Sequence, residues 1–190
     1  MISLYSISIP PLLRGLHNIS AILTKALAQA TSTNVDPKTY LTSRLHPTMH
    51  PFAMQIFLLV KMASSVPHDL NPSLPCPSLP SPTDSTTTAS FDALFALLDT
   101  MIKYLESIDL AEINSREKEA VKLTVPRAWN RDIVRVEYEA VDYVTMHAAP
   151  YFWFHVSVAY GLLRKEGTDL GKADFLNAAG LKEWMVEPME

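Results

Sequence analysis

The chain has 190 residues, 48% of them hydrophobic and 19% charged, with 20 acidic against 16 basic side chains and a formal charge of −4. That length supports one core burying roughly 70% of the unfolded chain's surface, so a single helical-bundle domain is expected, and the composition is too apolar for a disordered protein. No Lys/Arg cluster follows any predicted face, which argues against nucleic-acid binding, and no uncharged apolar run approaches the ~20 residues that span a bilayer.

The apolar start, Met1 to Ile9, has no basic n-region and is interrupted by Pro10-Pro11, so no signal peptide is expected and a cytoplasmic location fits. After that proline pair, which suits a helix start, Leu12, Leu16, Ile19, Leu23 and Leu27 define one helical face, and Thr31-Ser32-Thr33-Asn34 favours a turn. Asp36-Pro37 reads as the cap of a short helix from Lys38 to Arg44. Beyond Pro47 and Pro51, a second long helix has Phe52, Ile56, Leu59 and Ala63 on its inner face, with Gln55 on the same side.

A Pro/Ser/Thr-rich surface loop is expected over about 67–89, holding the chain's single cysteine, Cys76. One cysteine permits neither an internal disulfide nor a thiolate metal site, and no nearby cation activates its thiol. A third helix starts at Ser90 as N-cap and buries Phe91, Leu94, Phe95, Leu98, Met101 and Leu105. Near-alternation in Val121, Leu123, Val125 and then Ile133, Val134, Val136 predicts a small β-hairpin or extended excursion. The last long helix is expected from about Tyr138 to Arg164, kinked by Pro150 near Met146 to Ala149 and stopped by Gly167 in a left-handed cap. A tail from Leu170 to Leu176 should pack back on the bundle through Phe175 and Trp184. The fold class is therefore all-α, a four-helix bundle with a polar-lined interior and a small hairpin before the last helix.

Imidazole titrates near neutrality and binds metals, so the six histidines are the first candidates for chemistry. His17 and His68 stand alone, on a helix and in the proline-rich loop, and read as surface residues. His46 and His50 straddle the start of the second helix, while His147 and His155 lie two turns apart on the fourth. Metal binding by imidazoles favours an i, i+4 pair, and His155 has Tyr151 and Ala159 at those positions. Four aromatics, Tyr151-Phe152-Trp153-Phe154, precede His155 and point all round the helix, as for a thick core or a dimer interface. Gln55, His155 and Tyr160 are polar groups in apolar contexts, the kind that line pockets between facing helices. Ser157 is two residues from His155, on another face, which argues against a Ser-His pair.

Four segments carry a family resemblance: Leu12-Leu13-Arg14-Gly15-Leu16; Arg44-Leu45-His46-Pro47-Thr48-Met49-His50-Pro51-Phe52 with Gln55; Pro150 to Val156 through Ala159-Tyr160; and Gly171-Lys172-Ala173-Asp174-Phe175-Leu176. Together the chain resembles an uncharacterised bacterial and fungal family, domain-of-unknown-function nineteen-ninety-three, grouped with the DinB/YfiT-like superfamily. The resemblance implies a DinB-like four-helix bundle. Better-known members of that superfamily hold a divalent metal with three histidines, two of them four apart on the last helix; here His155 matches one position and Ala159 stands at the other. The proline-rich loop resembles insertions of fungal members, some of them thought of as accessory proteins of small-molecule biosynthesis.

The leading expectation is a cofactor-free site for a small aromatic or hydrophobic organic molecule. His155 would be its catalytic or hydrogen-bonding group, and Gln55, Tyr151, His50 and Tyr160 its ligand-binding residues. One well-placed imidazole supports proton-transfer chemistry such as isomerisation, dehydration or cyclisation. The alternatives are a non-catalytic module that forms a homodimer or binds another protein through the aromatic helix, and a divalent-metal enzyme using zinc, nickel or manganese on His50, His147 and His155.

Overall fold

The computed structural model describes residues 2–81, 88, 90–126 and 132–180, so the anchoring role expected of Trp184 lies outside the described residues. Helix α1, Leu4–Thr33, starts at a reciprocal cap in which the Ser3 hydroxyl accepts from the Ser6 N–H and the Ser6 hydroxyl accepts from the Ser3 N–H. The sequence placed this start at Pro10-Pro11, but both prolines lie inside the helix. Burial of Leu4 and Ile9, worth about 1.5–3 kcal/mol each, offsets much of the ~3 kcal/mol that each interior proline costs. The Tyr5 N–H also finds a partner in Asn114 Oδ1 at 2.9 Å. The predicted face holds: Leu12, Leu16, Ile19 and Leu23 are buried, and Asn34 closes the helix at φ 56° in the left-handed region.

After the short α2, Lys38–Thr42, helix α3 runs from Phe52 to Leu70 with Phe52, Ile56, Leu59 and Ala63 fully buried as predicted. It passes through Pro67, correcting the expected loop start, because Val66, Pro67 and Leu70 continue the buried stripe. The described part of the loop is pinned as well. Asn71 and Leu74 are buried, the Asn71 amide donates to the Glu112 carbonyl at 3.1 Å, and the Tyr104 hydroxyl donates to the Pro75 carbonyl at 2.5 Å.

Helix α4, Phe91–Glu106, is capped by Ser90, whose hydroxyl accepts from the Ala93 N–H at 3.1 Å. A short α5, Leu110–Asn114, leads to the predicted hairpin of β1, Ala120–Pro126, and β2, Ile133–Glu139, antiparallel with Leu123 opposite Val136. Then come α6, Ala140–Asp142, a π-helical stretch over Tyr143–Ala148, and α7, Ala149–Lys165. The segment where a kink was expected overlaps this π-helical stretch, which ends two residues before Pro150, so the proline falls in the first turn of α7, where a missing N–H is tolerated. Gly167 adopts φ 86° just past α7, as its predicted role as a stop requires. Helix α8, Lys172–Asn177, folds back on α1.

The four long helices form a closed square in which α1 packs on α4, α4 on α3, α3 on α7 and α7 on α1. The α1–α7 edge is close because Gly15 has no side chain: a Cβ there would stand 2.3 Å from Phe152 Cε1. The interior corrects the expectation of a polar lining. It is filled by Leu, Ile, Val, Ala and aromatic side chains, and the buried polar residues are single groups such as Asn18, Gln55, Ser64 and His155 that bond to their neighbours.

Candidate functional site

Gln55 lies in the first turn of α3, just after the Pro51 cap, and His155 in the second turn of α7, where the two helices pack along one edge of the square. Both are buried, at 2% and 7% exposure. The Gln55 amide donates to the His50 carbonyl at 2.9 Å, and its Oε1 meets His155 Nδ1 at 2.6 Å. An amide oxygen only accepts, so the His155 hydrogen sits on Nδ1 and Nε2 carries a lone pair. That nitrogen has no hydrogen-bond partner among the described residues. Burial first, and the nearby His50 second, push the His155 pKa down to about 4, so the ring is neutral at physiological pH.

Two aromatic side chains flank the imidazole. The Tyr151 ring centroid lies 4.7 Å from it and Phe154 meets it edge-on at 5.2 Å. Tyr151 and Phe154 are exposed, at 36% and 54%, so the histidine sits at the base of an aromatic surface patch. Burial also raises the Tyr151 pKa, keeping its hydroxyl protonated.

Of the other candidate residues, His50 reaches this cluster through its carbonyl and its nearby exposed ring. Tyr160 is placed elsewhere, edge-on to Phe175 at 5.5 Å beneath α8, because five residues of helix rotate it away from His155. His147 is also elsewhere, stacked on Tyr143 at 5.8 Å and against Tyr138 at 5.7 Å. Its pKa is lowered by burial, with Asp69 opposing that effect. His17 faces Glu106 at 3.7 Å, and His68 belongs to α3 rather than the loop, its Nδ1 2.7 Å from the Leu74 carbonyl.

His50, His147 and His155, the three histidines of the metal alternative, do not come together as one group. His147 is held in a tyrosine stack away from the Gln55–His155 pair, and among the described residues no group of three or more His, Cys, Asp or Glu side chains could hold an ion. Cys76 is exposed, and its thiol pKa is raised by burial first and by Asp69 second, which disfavours the reactive thiolate.

Sequence reasoning missed a second polar pair. The fully buried Tyr143 hydroxyl donates to Asp69 Oδ2 at 2.6 Å, and burial, with Asp69 adding to it, pushes the Tyr143 pKa far upward. Extending the α3 stripe through Val66 to Leu70 would have brought Asp69 onto a helix and within reach of the π-helical segment.

The square of four helices with a hairpin before the last defines a DinB-like helical bundle. The fold is shared with a DinB family member protein from Shewanella denitrificans, solved by crystallography, at a TM-score of 0.78 and 22% identity over 98% of this chain and 96% of that one. The chain belongs to the family described as domain of unknown function DUF1993, which it matches over residues 4–176. No curated protein matches it. Among the described residues no helix is long and apolar enough to cross a membrane.

Proposed function

We propose that the protein binds a small aromatic hydroxyl compound at the His155–Gln55 pair, with His155 Nε2 accepting the hydroxyl's hydrogen bond or its proton. The observation that carries this reading is the 2.6 Å bond from His155 Nδ1 to Gln55, itself oriented by the His50 carbonyl. Such a relay fixes both ring direction and tautomer, which is what a positioned acceptor or general base requires. Tyr151 and Phe154 supply the faces against which an aromatic ring packs. Where the bound molecule has an acidic hydroxyl or a proton α to a carbonyl, the neutral imidazole can begin an isomerisation, dehydration or cyclisation without a cofactor. A role as accessory or tailoring protein in fungal small-molecule biosynthesis and a cytoplasmic location belong to the same reading.

Binding of 2-naphthol, followed by NMR shifts of the His155 ring, tests it. Gln55→Leu removes the acceptor that sets the tautomer and should weaken binding about tenfold, the equivalent of one lost hydrogen bond. Equal binding by wild type, Gln55→Leu and a folded His155→Ala would refute the assignment.

A second reading has its own observation. Tyr151 and Phe154, three residues apart on one helix face, leave an aromatic patch in solvent of the kind that self-association covers. A concentration-independent monomer in sedimentation velocity would remove the homodimer, and a Phe154→Ser protein that stays dimeric would move the interface elsewhere.

A further inference from the structure

The turn that precedes α3, residues 43–51, sets part of the surroundings of His155. Its His50 carbonyl accepts from the Gln55 amide at 2.9 Å, and, after burial, its His50 side chain is the second influence that lowers the His155 pKa. Most of this turn is exposed, so its position depends on how it is tied down. Within it, the Met49 N–H donates to the His46 carbonyl at 2.9 Å, the Thr48 N–H donates to His46 Nδ1 at 3.3 Å, and the Arg44 guanidinium donates to the Met49 carbonyl. Being internal, these bonds fold the turn without fixing it to the bundle.

Ser43, buried just past α2, makes that attachment. Its carbonyl accepts from the Phe52 N–H at 2.9 Å, which closes the turn onto the first residue of α3. Its hydroxyl donates to the Glu166 carboxylate, one residue past α7, and accepts from Lys165 Nζ at 3.4 Å. Lys165 Nζ also donates to the Arg44 carbonyl at 2.8 Å and pairs with Glu166 at 3.3 Å. One small residue thus joins the two helices along whose edge Gln55 and His155 meet. Glu166 is the informative partner, because a carboxylate at a helix C-terminus faces the negative end of the macrodipole and is disfavoured there. The Ser43 hydrogen bond, opposed by burial and aided by Lys165, nevertheless holds its pKa below the usual carboxylate range, and an ionised acceptor makes the stronger bond.

The place of the turn matters because a glutamine amide has nearly the same shape when flipped. Flipped, Gln55 would offer its NH2 group to His155 Nδ1, move the ring hydrogen to Nε2 and abolish the acceptor. The His50 carbonyl selects the orientation by receiving that NH2 group. We infer that Ser43 is a positioning residue for His155: through Glu166 and Lys165 it fixes residues 43–51 on the end of α7, so that the His50 carbonyl holds the Gln55 amide and Gln55 Oε1 receives the hydrogen of His155 Nδ1. The inference rests on the reading of His155 Nε2 as the acceptor and supplies what keeps that acceptor in place.

The test reads the His155 ring nitrogens of the full chain by nitrogen-15 NMR at neutral pH, without ligand. Wild type should carry its hydrogen on Nδ1, whereas Ser43→Ala should show a mixture that includes rings with hydrogen on Nε2. The 2-naphthol affinity of Ser43→Ala should fall about threefold, less than for Gln55→Leu because the turn loosens while Gln55 remains. Glu166→Gln, which keeps an oxygen to accept the hydroxyl, should stay near wild type, and Glu166→Leu should match Ser43→Ala. Lys165→Met, at a half-exposed side chain whose loss leaves folding intact, should move the ring signals the same way by less, so the test holds even where Ser43→Ala fails to fold. Asp174→Ala, which loosens α8, controls for a general loss of stability and should keep the wild-type tautomer. Wild-type ring signals in folded Ser43→Ala, Glu166→Leu and Lys165→Met, or an equal tautomer change in Asp174→Ala, would overturn the inference. These tautomer changes in a protein that ignores 2-naphthol would refute the proposed function and uphold the positioning role.

Discussion

Helix α7 turns two aromatic faces outward, and they differ in what they offer. Toward α3, His155 is buried and locked to Gln55 at 2.6 Å beneath Tyr151 and Phe154, so that face has positioned chemistry close to the surface. Toward α1 and α8, Trp153 and Phe175 frame a 480 Å³ space whose described lining is mostly apolar, with Ser6 and Arg14 as its polar residues. Both arise from one run of aromatics, because consecutive helix residues point about 100° apart. Phe152 between them goes fully into the core and joins the two faces mechanically.

That mechanical link gives the largest expected effect. Gly15→Ala places a Cβ 2.3 Å from Phe152 Cε1 and 2.7 Å from Cζ, so a fully buried ring must move, and Trp153 beside it moves too. Overpacking of this kind costs about 1–3 kcal/mol, and at about 2–4 °C per kcal/mol for a domain this size the melting temperature falls by several degrees. Calorimetry should show that fall, and binding at the His155 patch should weaken with it. An unchanged melting temperature would mean that α1 and α7 are not in the close contact described.

A second prediction concerns one face only. The unfolded His155 takes up a proton below ~6.5, whereas the native ring resists protonation until about pH 4, so across that window the unfolded state binds more protons. Stability from this group is therefore full above pH ~6.5 and is lost as pH falls toward 4, with a slope of at most ~1.4 kcal/mol per pH unit. Urea unfolding of wild type at a series of pH values should show the loss, and His155→Gln should flatten it. The Trp153 cavity should be indifferent to that substitution.

The smallest effect sharpens the other face. The Asp174 carboxylate accepts the Gly171 N–H at 2.6 Å and pairs with Lys25 at 3.2 Å, and these contacts, the Gly171 N–H foremost, hold its pKa below the usual carboxylate range. Asp174→Ala removes the cap of α8 and a partly exposed ion pair, a loss of about 1 kcal/mol. Hydrogen exchange should quicken over Lys172–Asn177 while the His155 resonances stay in place.

Local signals were the readable ones. Ser90 as a cap, Asn34 and Gly167 as stops, the alternation of the hairpin and the inner faces of α1, α3 and α4 all depend on near neighbours in the chain, and each is where the sequence pointed. Gln55, His155 and Tyr160 stood out in the sequence as polar groups in apolar contexts, but that Gln55 meets His155 while Tyr160 packs elsewhere was not legible there. Prolines misled. Pro10, Pro11 and Pro67 read as boundaries, yet tertiary burial of Leu4, Ile9 and Leu70 offsets much of a local cost that sequence alone displays. The α1–α7–α8 cavity and the Asp69–Tyr143 bond were not legible, because both join segments far apart in the chain whose separate patterns say only that each is helical.

The most direct test of the account is the protonation and tautomer of His155, followed by nitrogen-15 NMR of its ring across a pH titration of the wild-type protein. A neutral ring with hydrogen on Nδ1 is expected, unchanged from pH ~8 down to ~5 and titrating only near the depressed value, about 4. A ring that titrates near 6.5, the ordinary histidine value, or one that carries its hydrogen on Nε2, would contradict it: Gln55 would then not hold His155, and the acceptor on which the proposed function rests would not exist.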